Sequence, residues 1–385
     1  MANVRKRGNS YQIRVSCGYG TDNKQIFRSK TWKPKDGMTK KQIEKELERQ
    51  KVLFEEQCKN GIVDSKVKFS DFVQQWKSEY AINHYKSTTM DTMTRALKRI
   101  EAELGHLRLD KITTRTIKDF IQRLSNGDNE HKPLGAKSVK NYVSFASSIF
   151  EYALYLEMIS KNPCLGAKLP RIEKSEREMY TDDEAQLFIH TLIAKAPMIQ
   201  QAYFILAIHS GFRRAELCGL MFSCVDFENE IITIDKGLYH VTGEGNILLE
   251  PKSRSSNRSL KLAPEVFDLL KRLQDYYEAE KKRLGSKWID TDFVFKNPYG
   301  DCISPTEPNE WLHKFCEREK LKFVVPHSFR HLNASTMIDS GASVKTVQAC
   351  LGHSDASTTL NIYAKAFARS QAIASQAVAN KFKVS

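Results

Sequence analysis

No two of the chain's eight cysteines, Cys17, Cys58, Cys164, Cys218, Cys224, Cys302, Cys316 and Cys350, stand in the Cys-x-x-Cys spacing of a zinc ribbon. A chain of 385 residues is also large enough to bury a core without disulfide staples. The thiols are therefore read as scattered and reduced, as in a cytoplasmic protein. Equally absent is any run of the roughly 20 apolar residues that a bilayer-spanning helix requires. The opening Met1-Ala2-Asn3-Val4-Arg5-Lys6-Arg7 leads into no apolar segment of the signal-peptide kind. There is no internal repeat and no low-complexity tract. Together these absences exclude a disulfide scaffold, a membrane protein and a solenoid, and leave a soluble intracellular chain of two or three domains.

Acidic residues are in deficit. The sequence holds 60 Lys and Arg against 46 Asp and Glu, a formal charge of +14. A polyanion is the partner that such an excess favours, because each phosphate neutralised releases condensed counterions. The charge is uneven: residues 1–60 carry 15 basic and 7 acidic side chains, more than half of the net excess in less than a sixth of the chain. Within them Tyr11-Gln12-Ile13-Arg14-Val15 alternates as a strand does, and Gln25-Ile26-Phe27-Arg28 follows a turn-like Gly18–Asn23. From Thr39 to Cys58 the pattern turns helical, with Ile43, Leu47, Leu53 and Phe54 among charges. The expectation is a small, basic α+β domain over residues 1–62 that reads DNA.

Residues 67–166 read as all-α. Met90, Met93, Leu97, Ile100 and Leu104 form one apolar stripe, with Gly105 at the expected C-terminal cap. Thr113 and Thr114 are placed to cap a helix carrying Ile117, Phe120, Ile121 and Leu124 up to Gly127, and a longer helix is expected from Ala136 to Ile159. Lys86, Arg95, Lys98, Lys137 and Lys140 are available to phosphates or simply solvated. A charged stretch without apolar period, Ala167–Tyr180, then separates a second globular unit, 175–385, of mixed α/β type: mainly helical, with strand-rich sequence from 230 to 262.

That unit carries the chemistry-bearing residues. In Ser210-Gly211-Phe212-Arg213-Arg214-Ala215-Glu216-Leu217 an apolar helix stops at a glycine and Arg213 opens the next, where a guanidinium can meet a phosphate. The stretch Leu249–Leu262 reads as strand, polar turn and strand, a hairpin bearing Lys252, whose ammonium can donate a proton if neighbouring cations lower its pKa. Pro326-His327-Ser328-Phe329-Arg330-His331 sets His327 and Arg330 on one helical face. Leu351-Gly352-His353 precedes Tyr363 by ten residues. Each motif alone has an ordinary structural explanation.

As an ordered set they resemble the signature of the tyrosine recombinase, or phage integrase, family: Arg-x-x-Glu-Leu after a glycine, a hairpin lysine, His-x-x-Arg-His, Leu-Gly-His and a tyrosine. Ser210 and Leu332 depart from the threonines common in that family, without touching a catalytic position. The resemblance implies a multidomain fold: a basic arm-site DNA-binding domain, a helical core-site DNA-binding domain, and a mixed α/β catalytic domain ending in a C-terminal helix. It implies Arg213, Lys252, His327, Arg330, His353 and Tyr363 as catalytic residues, no cofactor and no metal, with Glu216 as a buttress. It further implies a homotetramer on double-stranded DNA with arm and core sites, accessory bending or excision proteins, and work at the nucleoid of a bacterial cytoplasm. The tail Ala364–Ser385, with Phe367, Ile373, Ala377 and Val378 at near-helical spacing, would dock on a neighbouring protomer or in cis. A binding-only regulator, a nicking-closing enzyme of topoisomerase type and a Xer-like resolvase are the alternatives; the first has no need of Tyr363, and the last would lack the basic N-terminal module.

Overall fold

The computed structural model describes residues 2–19, 25–35, 37–59, 67–128, 131–173, 178–250 and 257–352, with single residues thereafter. The chain divides into two compact units, Met1–Lys174 and Ser175–Ser385.

The first unit opens with an antiparallel sheet of β1 (Asn3–Arg7), β2 (Ser10–Tyr19) and β3 (Gln25–Trp32), with β2 in the middle. Strand β1 is not legible in the sequence: Val4 is its one apolar residue, so no alternation rises above the charge run. Helix α1 (Lys40–Lys59) packs on β2 and β3 and covers Ile13 and Val15, both buried. Leu53, on the same helix, is exposed. Because side chains alternate across a strand, the register Arg5↔Gln12↔Thr31 and Asn3↔Arg14↔Ser29 gathers Asn3, Arg5, Gln12, Arg14, Ser29 and Thr31 on the opposite face. Exposed Phe27 shares that face, with the Arg14 guanidinium 3.9 Å from its ring centroid. No acidic side chain stands among these residues.

The helical part of this unit comprises α2 (Phe69–Trp76), a π-helical turn over Lys77–Ala81, α3 (Ile82–His84), α4 (Ser87–Leu104), α5 (Thr114–Asn126) and α6 (Ala136–Tyr155). The Thr113 hydroxyl accepts from the Thr116 N–H and caps α5, as its position predicts. The stripes Met93-Leu97-Ile100-Leu104, Ile117-Phe120-Ile121-Leu124 and Val139-Val143-Ala146-Phe150 close on Phe69, Phe72 and Trp76 in one core. Helix α6 stops at Tyr155, short of the expected Ile159. Glu157 takes φ 57°, a left-handed reversal, and Ile159 reaches the core from outside the helix.

In the second unit α7 (Asp182–Lys195) starts at a reciprocal Thr181–Glu184 capping box and packs on α8 (Met198–Ser210). The short α9 (Arg214–Cys218) leads into strands β4 (Val225–Asp226), β5 (Ile231–Ile234), β6 (Gly237–Val241), β7 (Gly245–Leu249) and β8 (Arg258–Lys261). Helices α10 (Pro264–Leu284), α11 (Glu307–Glu319), α12 (His327–Asp339) and α13 (Val344–Leu351) complete it. An aromatic cluster of Phe188, Phe204, Phe315 and Phe329 forms the centre of its core. The fold is thus mostly helical with small antiparallel sheets, as expected, but the strands correct one expectation. The sequence from 249 to 262 is not a hairpin: β7 returns onto β6 through Gly243 and Gly245, both at positive φ, whereas β8 pairs with β5 in the separate sheet β4-β5-β8. The glycine turn satisfies β7 locally, so β8 takes its partner from farther back in the chain.

Candidate active site

The site is assembled at the C-terminal end of α13. The last carbonyls of an α-helix have no partner within it and carry partial negative charge. Here three consecutive ones accept from three different arginines. Arg258 Nε donates to the Cys350 carbonyl at 2.7 Å, Arg330 Nη2 to that of Leu351 at 2.5 Å, and Arg213 Nη2 to that of Gly352 at 2.8 Å. Gly352, at φ 63°, ends the helix in the left-handed conformation.

Each arginine arrives by a different route. Arg213 is the N-cap of α9 and is set there by the end of α8. Gly211 stops α8 at φ 62°, and a Cβ on it would lie 2.7 Å from Asn333 Oδ1 and from Leu351 Cδ2. Buried Ser210 bonds the Leu206 carbonyl and receives the Phe212 N–H, which fixes the turn. Arg330 projects from the first turn of α12 and is 2% exposed; its Nη1 donates to the Gly211 carbonyl at 2.8 Å. One guanidinium therefore caps the C-termini of both α8 and α13. Asn333, one turn on, ties α12 to α8 through the carbonyls of Ile208 and His209.

Among the described residues, Glu216 is the carboxylate hydrogen-bonded within this cluster. It is 4% exposed and accepts the Arg213 N–H at 2.8 Å, Arg213 Nη1 at 2.7 Å and Arg258 Nη2 at 2.9 Å. Burial alone would raise its pKa; the Arg258 hydrogen bond and charge, with the Arg213 N–H and charge, more than offset this and hold the carboxyl below its usual range. Helix α9 is five residues long, and Glu216 already takes the Arg213 amide. Burial, and then the Arg213 charge, pull Arg330 down to about 9, so it stays protonated at neutral pH. Among the described residues, three guanidinium groups meet one carboxylate here. Arg213 is the member of the cluster nearest solvent, with its side chain 35% exposed against 7% for Arg258. Such an arrangement suits a doubly anchored oxyanion.

His327 is the first residue of α12, exposed, with its ring edge-on to His331 at 5.0 Å. It shares a helix with Arg330, but the two side chains part: one faces solvent, the other is buried. Lys252, His353 and Tyr363 lie outside the described residues, as does nearly all of the tail after Gly352. Sequence reasoning missed Arg258, Ser210 and Asn333. For Arg258 a signal existed: in β8 it lies two residues before buried Leu260, hence on the core-facing side of the strand. Among the described residues no three His, Cys, Asp or Glu side chains are grouped as metal ligands, and no helix is long and apolar enough to cross a membrane.

The profile of the phage integrase family matches residues 178–369, and that of the phage integrase N-terminal SAM-like domain matches 68–125. The chain belongs to the phage integrase family. It is a tyrosine recombinase of the conjugative-transposon or phage type, a family of DNA breaking and rejoining enzymes. A XerC-like tyrosine recombinase of Caldanaerobacter subterraneus subsp. tengcongensis is 27% identical, with 94% of each chain aligned. The ICEBs1 integrase of Bacillus subtilis strain 168 is 24% identical, again over 94% of each. The fold of this recombinase is similar to that of the Tn1549 transposon integrase solved with a circular intermediate DNA, at a TM-score of 0.64 and 20% identity over 76% of this chain and 93% of that one.

Proposed function

We propose that this recombinase integrates and excises a mobile element by cutting and rejoining duplex DNA through a 3′-phosphotyrosine at Tyr363. The observation that carries the reading is the arginine cluster at the end of α13, a cationic, part-buried site with one shared carboxylate and a solvent-facing Arg213. A phosphodiester resists nucleophiles because it is anionic, so its charge must be neutralised in the transition state. Arg213 and Arg330 neutralise the non-bridging oxygens, a planar fork task that lysine performs poorly. His327 and His353 donate hydrogen bonds to the same phosphate, and one of them assists deprotonation of Tyr363. The Tyr363 oxygen bonds to phosphorus as the bond to the 5′ oxygen breaks, and Lys252 protonates that leaving oxygen. A 5′-hydroxyl of the partner strand then attacks the phosphotyrosine, which restores the tyrosine and joins the new strands.

The working division is an arm-site domain over 1–62, a core-site domain over 67–166 and a catalytic domain over 175–385, acting as a homotetramer on double-stranded DNA, with accessory bending or excision proteins, in the bacterial cytoplasm. The acid-free sheet face bearing Arg5, Gln12, Arg14 and Phe27 supports the arm-site assignment, and with it an integrase over a Xer-like resolvase. The test is covalent trapping on nicked suicide duplexes spanning the ends of the element that encodes the chain. Wild type should give a protein–DNA band on denaturing gels that Tyr363→Phe abolishes while binding persists. Specific binding with no band from wild type would instead support a binding-only regulator.

A further inference from the structure

Arg258 has no place in the mechanism above, yet it is the side chain that joins the site's separate pieces. Its Nη2 and Nη1 reach Glu216 Oε2 and Oε1 at 2.9 and 3.3 Å, its Nε reaches the Cys350 carbonyl at 2.7 Å, and its guanidinium lies 5.2 Å from the Phe212 ring centroid. Through Glu216 it is one residue removed from Arg213. Cys350 stands three residues before His353, and Arg258 itself stands six after Lys252 on the same continuous segment. Its Nε, Nη1 and Nη2 are all engaged with the Cys350 carbonyl and Glu216. A buried ion pair is also a poor device for stability alone, since an apolar pair of similar volume commonly serves as well or better.

We infer that Arg258 is a positioning residue of the cleavage reaction, one that fixes Arg213 through Glu216 and ties β8 to the end of α13. The inference rests on the cleavage reading given above. Its consequence is specific. Glu216 is faced by Arg213 and Arg258, and also by Arg330 from α12 and the Tyr239 hydroxyl from β6. Removal of Arg258 leaves burial opposed chiefly by Arg213, so the carboxyl becomes easier to protonate. Once protonated, it is a weaker acceptor for the Arg213 N–H and Nη1 and no longer their counter-charge, so Arg213 loses its aim.

The experiment compares full-length wild type, Arg258→Met and Arg258→Lys for single-turnover adduct formation on suicide duplexes across pH, alongside DNA affinity and thermal midpoint. Arg258→Met should retain DNA binding and lose about 10²-fold in adduct rate, the scale of a misplaced catalytic group. The loss should deepen as pH falls from about 8 to about 5, because a buried carboxyl stripped of a cation titrates higher. Arg258→Lys, which keeps the charge and one donor, should recover part of the rate and of the wild-type profile. The inference is overturned if both variants cleave as wild type does, or if both lose rate in proportion to DNA binding with the pH profile unmoved. Should Arg258→Met fail to fold, the pH profile of Arg258→Lys decides alone: one superimposable on wild type overturns the inference. Absence of an adduct from wild type, by contrast, would strike the cleavage reading itself.

Discussion

The Arg330 guanidinium donates to the carbonyl of Gly211 at 2.8 Å, and with its other terminal nitrogen to that of Leu351, so one buried cation closes two helices at once. The side chain proposed to meet the phosphate is thus also part of the scaffold, and that dual load shapes what its replacement does.

Arg330→Lys should therefore lose on both counts. An ammonium cannot span the two carbonyls as a planar fork does. Stability should fall by about 1–3 kcal/mol, the worth of a charge-assisted hydrogen bond left unmade, measured by urea unfolding. Adduct formation on a suicide duplex should drop by about 10²–10³-fold. A variant as stable as wild type would mean that the carbonyl contacts contribute nothing.

Glu216 ties stability to pH. Its folded-state pKa is depressed, so its contribution is fully present above the ordinary value of 4.5 and is lost as pH falls through the lower folded value. Wild type should lose an acid-labile component below that pH, while Glu216→Gln should show a flatter profile there. At neutral pH the variant should be about 3 kcal/mol less stable, because two buried cations lose their counter-charge. Thermal midpoints from acid to neutral pH provide the check, and parallel profiles for the two proteins would rule the assignment out.

Gly211 is poorly suited to a side chain. Its φ of 62° is strained for other residues, and an added Cβ would meet Asn333 Oδ1 and Leu351 Cδ2 at 2.7 Å. Gly211→Ala should cost about 1–3 kcal/mol and push Arg213 and α13 apart, with loss of adduct formation. A midpoint unchanged from wild type would show that α8 and α12 can separate freely.

On the N-terminal sheet, Arg5→Ala and Arg14→Ala should each weaken arm-site DNA binding and reduce the slope of log affinity against log salt by about 1. Lys6 pairs with Tyr11 on the helix-covered side of the sheet, so Lys6→Ala should leave the slope nearly intact. If Lys6→Ala lowers the slope as much as Arg14→Ala does, the reading of the sheet face opposite α1 is wrong.

Much of this protein is decided by local rules, and those are legible in the sequence. Thr113 and Thr181 cap helices because a hydroxyl beside an amide needs no distant partner. Gly211 and Gly352 end helices because glycine alone enters the left-handed region without penalty. The ordered set Arg213, Lys252, His327, Arg330, His353 and Tyr363 marks the family, since the chemistry restricts the residue types and a shared fold restricts their order along the chain. Tertiary structure decided the remainder. No spacing rule brings the carbonyls of Cys350, Leu351 and Gly352 to three arginines from three elements. Nor does one separate β7 from β8, or bury Arg330 while His327 faces solvent. Those outcomes follow from which orphaned polar groups meet once the aromatic core around Phe188, Phe204 and Phe329 has closed, a competition among partners far apart in sequence that no local pattern records.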